Sequence, residues 1–361
     1  MKRLSKIILI FSIIAIALVI IYFGWQYLFT HKGVSIKTAS KSVVTIPKLQ
    51  KLSDNSVFDY WLNSTGDIYF IAKDGQIAKI DSSGQVQNLE SKAMGLISSV
   101  KASNDGSSIL VEFGYPQAPT FAVHNLVNKT WQSLPQGTVA AAWDPKSSNR
   151  LIYLKDSGLV SRLYFYTVSS GKSVEIFHLA QKDLDLDWAA PDTIYFTQRP
   201  SSQSLSSMWS FGLISKMFKA VVREEAGLSV KWDGVGKNAI KWSGGSLDII
   251  DSSNQLIGIT DLKTLPQKCS FEATKVYCAV PLNQSDVSSN DFDRYLKRLI
   301  NFNDVIYLVS LANLSGNQTH LIAINVFDFT DQPADLWHLE SRNGKLIFIN
   351  RWDNKLYSLE L

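Results

Sequence analysis

A turn-and-strand unit that recurs about every forty residues constrains the fold of this chain more than any other feature. Seven times between residues 55 and 361, a turn is followed by a strand rich in aromatic and β-branched side chains. Glycine, asparagine or aspartate ends six of the seven turns, because these residues tolerate the positive φ of tight hairpins. The turns end at Gly66, Gly106, Asn149, Asp192, Gly236, Thr274 and Gly344, with spacings of 40, 43, 43, 44, 38 and 70 residues.

The strand after each turn is apolar on both faces, as residues 151–154 and 346–349 illustrate. A strand has this composition when both faces of its sheet are buried, and the stacked blades of a β-propeller bury both faces. A further strand follows in several units, and a period near forty with four strands per unit is typical of propellers. We therefore expect an all-β, seven-bladed β-propeller over residues 41–361, rather than a β-sandwich with similar hairpins.

Two of the units carry a more specific motif. Residues 143–145 (WDP), 163–164 (LY) and 170–171 (SG) follow one another in one unit, and residues 77–81 with Ser83-Gly84 repeat part of the pattern. This pattern resembles the WD40-like (PD40) repeats of TolB-type propellers. The resemblance covers residues 55–361 and implies a fold, not an activity.

A second resemblance concerns the unit that contains both cysteines. Lys268-Cys269 and the run YCAVP at residues 277–281 are similar to one blade of a group of single-anchor bacterial propeller proteins of unknown role. In that group a long insertion follows this blade. The resemblance implies the same arrangement here.

A long apolar segment precedes the repeats. Residues 7–29 contain no charged side chain and, as a helix, would span roughly 35 Å, which is enough to cross a bilayer. Tyr22, Trp25 and Tyr27 lie at its end, where aromatic rings favour the lipid–water interface. A cleaved signal peptide is the alternative, but the apolar run is too long for one. We expect a cytoplasmic tail at 1–6, a transmembrane helix at 7–29 and a linker at 30–40.

The charge distribution bears on orientation and on partners. Basic residues flank the apolar segment on both sides, so charge alone does not orient it. Beyond residue 32 the chain carries 32 basic and 32 acidic side chains, which argues against a nucleic-acid partner. We expect a single-pass membrane protein whose large domain is extracytoplasmic, at the cell surface or in the periplasm.

The two cysteines supply the argument for that orientation. A two-residue turn at Ala273-Thr274 pairs Cys269 with Cys278 in one hairpin, at the Cα separation that a disulfide accepts. The pattern predicts this disulfide and, with it, an oxidising compartment. A register shift of one residue would place the sulfurs on opposite faces, and two free buried thiols in a cytosolic propeller are the alternative.

The last spacing is long because residues 282–303 interrupt the strands of blade six. Apolar residues at helical intervals predict a short helix within this insertion. The insertion is either a binding element or a cap over a blade edge. Its candidate binding residues are Phe292, Arg294, Tyr295, Lys297 and Arg298.

The last repeat shows only three strands before the chain ends. A three-stranded blade would leave an exposed edge. The β-rich residues 41–47 precede the first repeat and are predicted to supply the fourth strand.

Little in the sequence points to catalysis. No nucleophile constellation is present, and the five histidines and two cysteines show no metal-ligand spacing, so no catalytic residue, metal or cofactor is expected. Asp183, Asp185 and Asp187 alternate along one strand and are weak candidates for a cation-binding acidic face, but a partly solvated strand that lines the central channel is the favoured interpretation, because oxygen-rich cation sites normally come from loops. Asp59, Lys101 and His338 occupy similar strand positions.

Two classes of function remain. The first is a protein- or glycan-binding or scaffolding module, tethered to the membrane through residues 7–29, which presents one face of the propeller to its partner. The second is an enzyme of the lyase or glycosidase type that uses the central channel, which would need convergent acid and base groups from several blades. The lack of a catalytic constellation favours binding.

Overall fold

Seven four-stranded antiparallel sheets follow one another along the chain, and each forms one blade of a β-propeller. The structure is a computed structural model that describes residues 48–81, 83–93, 95–199, 201–311, 320–326 and 332–361. The all-β, seven-bladed prediction is confirmed.

The strands of blades one to three begin after β1 (Leu49–Lys51), which belongs to blade seven. They are β2 (Val57–Leu62), β3 (Ile68–Ala72), β4 (Gln76–Ile80) and β5 (Val86–Lys92); β6 (Ile97–Ala102), β7 (Ser108–Phe113), β8 (Thr120–Asn125) and β9 (Thr130–Ser133); β10 (Thr138–Asp144), β11 (Ser147–Asp156), β12 (Ser161–Thr167) and β13 (Lys172–Leu179).

Blades four to seven continue in the same order. They are β14 (Leu184–Ala190), β15 (Thr193–Gln198), β16 (Leu205–Gly212) and β17 (Phe218–Ala226); β18 (Ser229–Trp232), β19 (Asn238–Ser243), β20 (Ser246–Asp251) and β21 (Leu256–Thr260); β22 (Cys269–Glu272), β23 (Lys275–Pro281), β24 (Asp304–Ser310) and β25 (His320–Asn325); β26 (Leu336–Arg342), β27 (Lys345–Asn350) and β28 (Lys355–Glu360).

The aromatic residue near the end of several inner strands ties one blade to the next. Trp61 Nε1 donates a hydrogen bond to the Gly106 carbonyl (3.2 Å), and Trp143 Nε1 donates one to the Lys101 carbonyl (2.9 Å). These bonds satisfy indole N–H groups that burial would otherwise leave unpaired. The tryptophans at repeat-equivalent positions therefore act in packing between blades.

The N-terminal part of the described chain closes the ring. Strand β1 pairs antiparallel with β28 in the register Leu49↔Leu359, Gln50↔Ser358 and Lys51↔Tyr357, and so becomes the outer strand of blade seven. The closing strand was predicted at residues 41–47, which lie outside the described residues together with the predicted tail, membrane span and linker. Within the described ranges, no helix has the length and apolarity that crossing a bilayer requires.

This closure predicts that a proline at position 50 is far more damaging than one at position 51. The Leu52 N–H bonds to the Leu356 carbonyl, so by the alternation of a strand the Gln50 N–H also faces β28, whereas that of Lys51 faces outward. Gln50→Pro should cost roughly 2 kcal/mol more than Lys51→Pro, because only the first removes a ladder bond. Urea unfolding of the full chain measures both, and equal losses would mean that β1 does not hold the ring closed.

The hairpin of β22 and β23 carries the predicted disulfide. Cys269 pairs with Cys278 in the expected register around the turn at Ala273-Thr274, their Cα atoms are 4.1 Å apart, and the sulfurs are bonded. Both cysteines are fully buried. Hydrogen-bonded and non-hydrogen-bonded pairs alternate along a hairpin, starting with a hydrogen-bonded pair nearest the turn. Counted from the turn, Cys269 and Cys278 form a non-hydrogen-bonded pair, the kind that brings opposed side chains closest together.

The insertion in blade six lies between the end of β23 at Pro281 and the start of β24 at Asp304. It contains the 3₁₀ turn Gln284–Asp286 and the helix α1 (Ser289–Leu296), which begins with a capping box between Ser288 and Asp291. Such a box satisfies two N–H groups of the first turn. A second 3₁₀ turn, Pro266–Lys268, precedes β22.

Candidate functional site

The inner strands of the blades enclose a cavity of about 550 Å³ along the central axis. Its lining includes Asp59 from blade one, Lys101 from blade two, Asp185 from blade four and His338 from blade seven. The sequence placed these four residues at similar strand positions, and the closed ring brings them together. Charged side chains from these four blades therefore face one space.

One side of the cavity holds a lysine between two aspartates. Lys101 Nζ lies 3.3 Å from Asp185 Oδ1 and donates a hydrogen bond to the Leu186 carbonyl (3.1 Å). Burial alone would lower the pKa of Lys101, but Asp185 and Asp187 outweigh it and raise that pKa. Burial would raise the pKa of Asp185, yet Lys101 and Arg199 hold it below its usual value. This pair is ionised at neutral pH.

Asp187 differs from its neighbour. Its side chain is exposed in the cavity, but the surrounding blades limit its hydration, and this desolvation raises the pKa of Asp187 to about 6. Lys101 opposes the shift, Asp185 adds to it, and no described group donates a hydrogen bond to the carboxylate. A carboxyl with a pKa near neutrality can accept or release a proton under physiological conditions.

Another part of the cavity wall holds a histidine that is charged at neutral pH. His338 Nδ1 contacts Asp59 Oδ1, and Nε2 lies 3.4 Å from Glu340 Oε1. Burial would lower the pKa of His338, but the two carboxylates outweigh it and raise the pKa to about 10. At neutral pH the ring is therefore a cation with both nitrogens engaged. It offers charge to a ligand, not proton transfer.

Lys231, which the sequence pattern did not single out, also lines the cavity. Its Nζ donates a hydrogen bond to the Cys269 carbonyl (2.7 Å), and burial lowers its pKa. Lys231 directly precedes the inner-strand aromatic Trp232, just as Asp187 precedes Trp188. A polar residue directly before the inner-strand tryptophan is the sequence signal that could have identified Lys231.

The indole rings near the cavity are largely covered. Trp143 is 7% exposed and Trp188 is 3% exposed, although both line the cavity. Trp337 is half-buried and lies beneath the Arg351 guanidinium, whose Cζ is 5.4 Å from the ring. These rings present little open face to a ligand.

The three alternating aspartates do not share one strand face, which corrects the expectation for Asp183. Strand β14 begins at Leu184, and Asp183 precedes it with φ of 54°. This left-handed residue breaks the alternation, so only Asp185 and Asp187 reach the cavity. Among the described residues, no group of three acidic, histidine or cysteine side chains is arranged to hold a metal ion.

The candidate residues of the insertion divide into two groups. Phe292 and Tyr295 are 3% and 0% exposed and pack into the core, so they hold the insertion in place. Arg294, Lys297 and Arg298 are exposed. The insertion therefore covers blade six with one face and presents cations on the other.

Tyr295 belongs to a fully buried polar network. Its hydroxyl donates a hydrogen bond to Asp335 Oδ1 (2.7 Å). The ammonium of Lys268 lies 2.6 Å from Asp304 Oδ2 and 3.1 Å from Asp335 Oδ1. Burial alone lowers the pKa of Lys268, but the two carboxylates reverse this and raise it well above its usual value. The network joins the insertion to blades six and seven.

The sequence matches no known family model and no curated protein. Solved structures do resemble it. The structure of U3-55K aligns with a TM-score of 0.58 and 10% identity, over 87% of this chain and 98% of that one. Oligogalacturonate lyase in complex with manganese aligns with a TM-score of 0.56 and 13% identity, over 87% and 93%.

TolB from Acinetobacter baumannii is also similar, with a TM-score of 0.43 and 14% identity over 70% of this chain and 60% of TolB. A propeller hosts many functions. Likeness at these identities shows the fold alone. The described chain is thus an all-β, seven-bladed propeller.

Proposed function

We propose that this chain is a membrane-tethered, extracytoplasmic propeller of the TolB type that binds a partner in its central cavity. The observation that carries the proposal is the 550 Å³ cavity, whose walls combine charged side chains of both signs from six blades. Its volume falls within the range of ligand-binding sites, which also use a few convergent polar groups to orient their ligands.

An extended protein segment fits this cavity better than a glycan does. Sugar rings stack on open aromatic faces, but Trp143 and Trp188 are almost wholly covered. Paired charges of both signs, Lys101 with Asp185 and His338 with Asp59, instead suit the polar backbone and mixed side chains of a polypeptide. A glycan partner is the alternative that the experiment below distinguishes.

The tether and orientation rest on two features. Residues 7–29 have the length and apolarity of a membrane anchor, and the Cys269–Cys278 disulfide is typical of an oxidising compartment. Protease added to protoplasts or spheroplasts should therefore degrade the propeller while cytoplasmic proteins stay intact. Protection of the propeller would contradict this orientation.

Site-specific photo-crosslinking in membranes tests the cavity as the binding site. Gly234 lines the cavity, and a Cβ built there meets no atom within 4 Å, so a benzophenone amino acid is tolerated. The matched control is the same probe at Leu159, which is 91% exposed and outside the cavity. A discrete adduct should form from position 234, should be absent from position 159, and should weaken in the Lys101→Met/Asp185→Asn variant.

The nature of the adduct identifies the partner. Sensitivity to protease and not to glycosidases supports a protein segment. Sensitivity to glycosidases overturns the protein assignment in favour of a glycan. Equal adducts from both positions, or adducts unaffected by the double variant, would contradict binding in the cavity.

A channel-centred enzyme is the second candidate, because one observation favours it. Asp187 is a carboxyl whose pKa is raised to about 6 and which lies beside the Lys101 ammonium in the cavity. Such a pair could remove a proton and stabilise the resulting anion, as a β-elimination requires. Two of the structural neighbours are oligogalacturonate lyases, so oligogalacturonate is a sensible first substrate.

Asp187→Asn tests this second candidate, with Asp192→Asn at an exposed turn as control. A lyase should produce an unsaturated product, visible by ultraviolet absorbance, and only the first variant should abolish it. Absence of product from the unmodified protein removes the support for oligogalacturonate lyase activity.

A further inference from the structure

Three cations lie in strand connections on the face of the propeller that carries the insertion. Lys73 directly follows β3, Arg351 directly follows β27, and Arg298 lies between β23 and β24. All three therefore belong to connections between the second and third strands of a blade. Because the strands of each blade are antiparallel, these connections open on one face, and blades six, seven and one are neighbours in the ring.

Aromatic rings support two of these cations from below. The Arg298 guanidinium lies over Phe58, with Cζ 5.4 Å from the ring centroid. The Arg351 guanidinium lies 3.9 Å from the Tyr295 ring, and its Nη2 donates a hydrogen bond to the Tyr295 carbonyl (2.9 Å). Such contacts fix the orientation of a guanidinium without neutralising its charge.

The acidic side chains next to these cations are engaged elsewhere. Asp74 pairs with Lys92 at 3.5 Å, and Asp59 pairs with His338. Asp353 accepts a hydrogen bond from the Tyr357 hydroxyl (2.6 Å). No ion pair links a described acidic side chain to any of the three cations. The cluster therefore carries positive charge that no ion pair with a described carboxylate neutralises.

The cations also act on one another. Arg298 and Arg351 lie together, because the Arg298 N–H and Arg351 Nη2 both donate hydrogen bonds to the Tyr295 carbonyl. Partial burial and then the two arginines lower the pKa of Lys73; partial burial and then Arg351 lower the pKa of Arg298, a shift that Asp59 opposes. An anion bound among them would relieve the repulsion.

Arg298 has a left-handed backbone conformation. It has φ of 59° just after helix α1, where the hydrogen bond from its N–H to the Tyr295 carbonyl ends the helix. Glycine is preferred at such positions because a side chain there is strained. The arginine thus occupies a place where its own conformation is unfavourable.

We propose that Lys73, Arg298 and Arg351 form an anion-binding rim that receives the carboxylate or phosphate groups of an acidic protein segment. The inference rests on the proposed binding function and adds the charge of the partner. Guanidinium groups suit both oxyanions because they offer two parallel N–H donors. The segment would enter the cavity beside this rim.

Peptide binding to the purified full chain tests the rim. The probe is a fluorescent hexaglutamate peptide, with hexaglutamine as control, followed by anisotropy at low salt. Arg298→Gly and Lys73→Gln should each weaken hexaglutamate binding about five- to tenfold, as loss of one charge-assisted contact does. Lys297→Gln removes an equal charge from the same loop outside the cluster and should change binding little.

Arg298→Gly separates function from folding, because glycine relieves the left-handed strain and should leave the melting temperature unchanged or higher. The rim is overturned if hexaglutamate binds no tighter than hexaglutamine, or if Arg298→Gly and Lys297→Gln weaken it equally. Inorganic phosphate and acetate, added as competitors, show which oxyanion the rim prefers. If hexaglutamate does not bind as expected but the photo-crosslinked adduct still forms from position 234, the acidic partner is rejected and the binding cavity is not.

Discussion

Lys268→Met should lower the free energy of unfolding by about 4 kcal/mol. The ammonium is fully buried between Asp304 and Asp335, and its removal leaves two buried carboxylates without a counter-charge. Backbone and hydroxyl donors cannot replace it, since the Leu336 N–H and the Tyr295 hydroxyl already bond to these carboxylates. Urea unfolding at neutral pH measures the loss.

The matched control is Lys345→Met. Lys345 and Glu360 form an ion pair at 3.0 Å in which both side chains are about half exposed, so its loss should cost under about 1 kcal/mol. A Lys268→Met/Asp304→Asn double variant should recover part of the first loss. Equal costs at positions 268 and 345 would show that the buried network does not stabilise the fold.

The loss at position 268 should also depend on pH. Burial raises the pKa of Asp304 to about 7 even with Lys268 beside it, and without the ammonium this carboxyl will hold its proton more strongly in the folded state. A carboxyl whose pKa is higher folded than unfolded loses stability as pH rises. Lys268→Met should therefore lie closer to the wild type near pH 5 than near pH 8.

Gly106→Ala should cost about 3 kcal/mol, the second largest effect. Gly106 has φ of 69°, and an added Cβ would lie 2.5 Å from the Cα of Asn63 and 2.8 Å from the Leu62 carbonyl oxygen. Two effects add up to this cost. Conformational strain contributes about 1 kcal/mol, and a backbone clash between blades one and two contributes the rest. Thermal unfolding of the full chain measures the sum.

Gly344→Ala isolates the cost of conformational strain, because it lacks the clash. Gly344 ends the equivalent turn of blade seven with φ of 72°, but a Cβ there meets no atom within 4 Å. The control should lose only about 1 kcal/mol. If both variants lose the same amount, turn geometry and not the contact between blades explains the glycine at position 106.

Local pattern was sufficient for the architecture of this protein. The turn residues and the doubly apolar strands recur in every blade, so each unit reports the same fold independently, and the count of seven follows from the spacing. The hairpin register of Cys269 and Cys278 was also local, because a two-residue turn fixes which residues face each other. The insertion between Pro281 and Asp304 appeared as one long interval.

Contacts between distant residues could not be predicted in this way. Lys268, Asp304 and Asp335 read as ordinary surface charges in the sequence, yet the ring buries all three together. Arg298 gave no sign that it would meet Lys73 from the opposite end of the chain. The left-handed backbone at Asp183 removed one aspartate from a face that strict alternation had assigned to it.

The sequence by itself therefore determined the repeat, the number of blades, the disulfide and the position of the insertion, because these depend on neighbours a few residues apart. Only the tertiary structure decided which charges share the cavity, which are buried and which remain without a counter-charge. The physical reason is that closing the ring brings inner strands from blades one, two, three, four, five and seven around one space. The energy of a charge depends on the groups that surround it in space, and a local sequence pattern does not specify those groups.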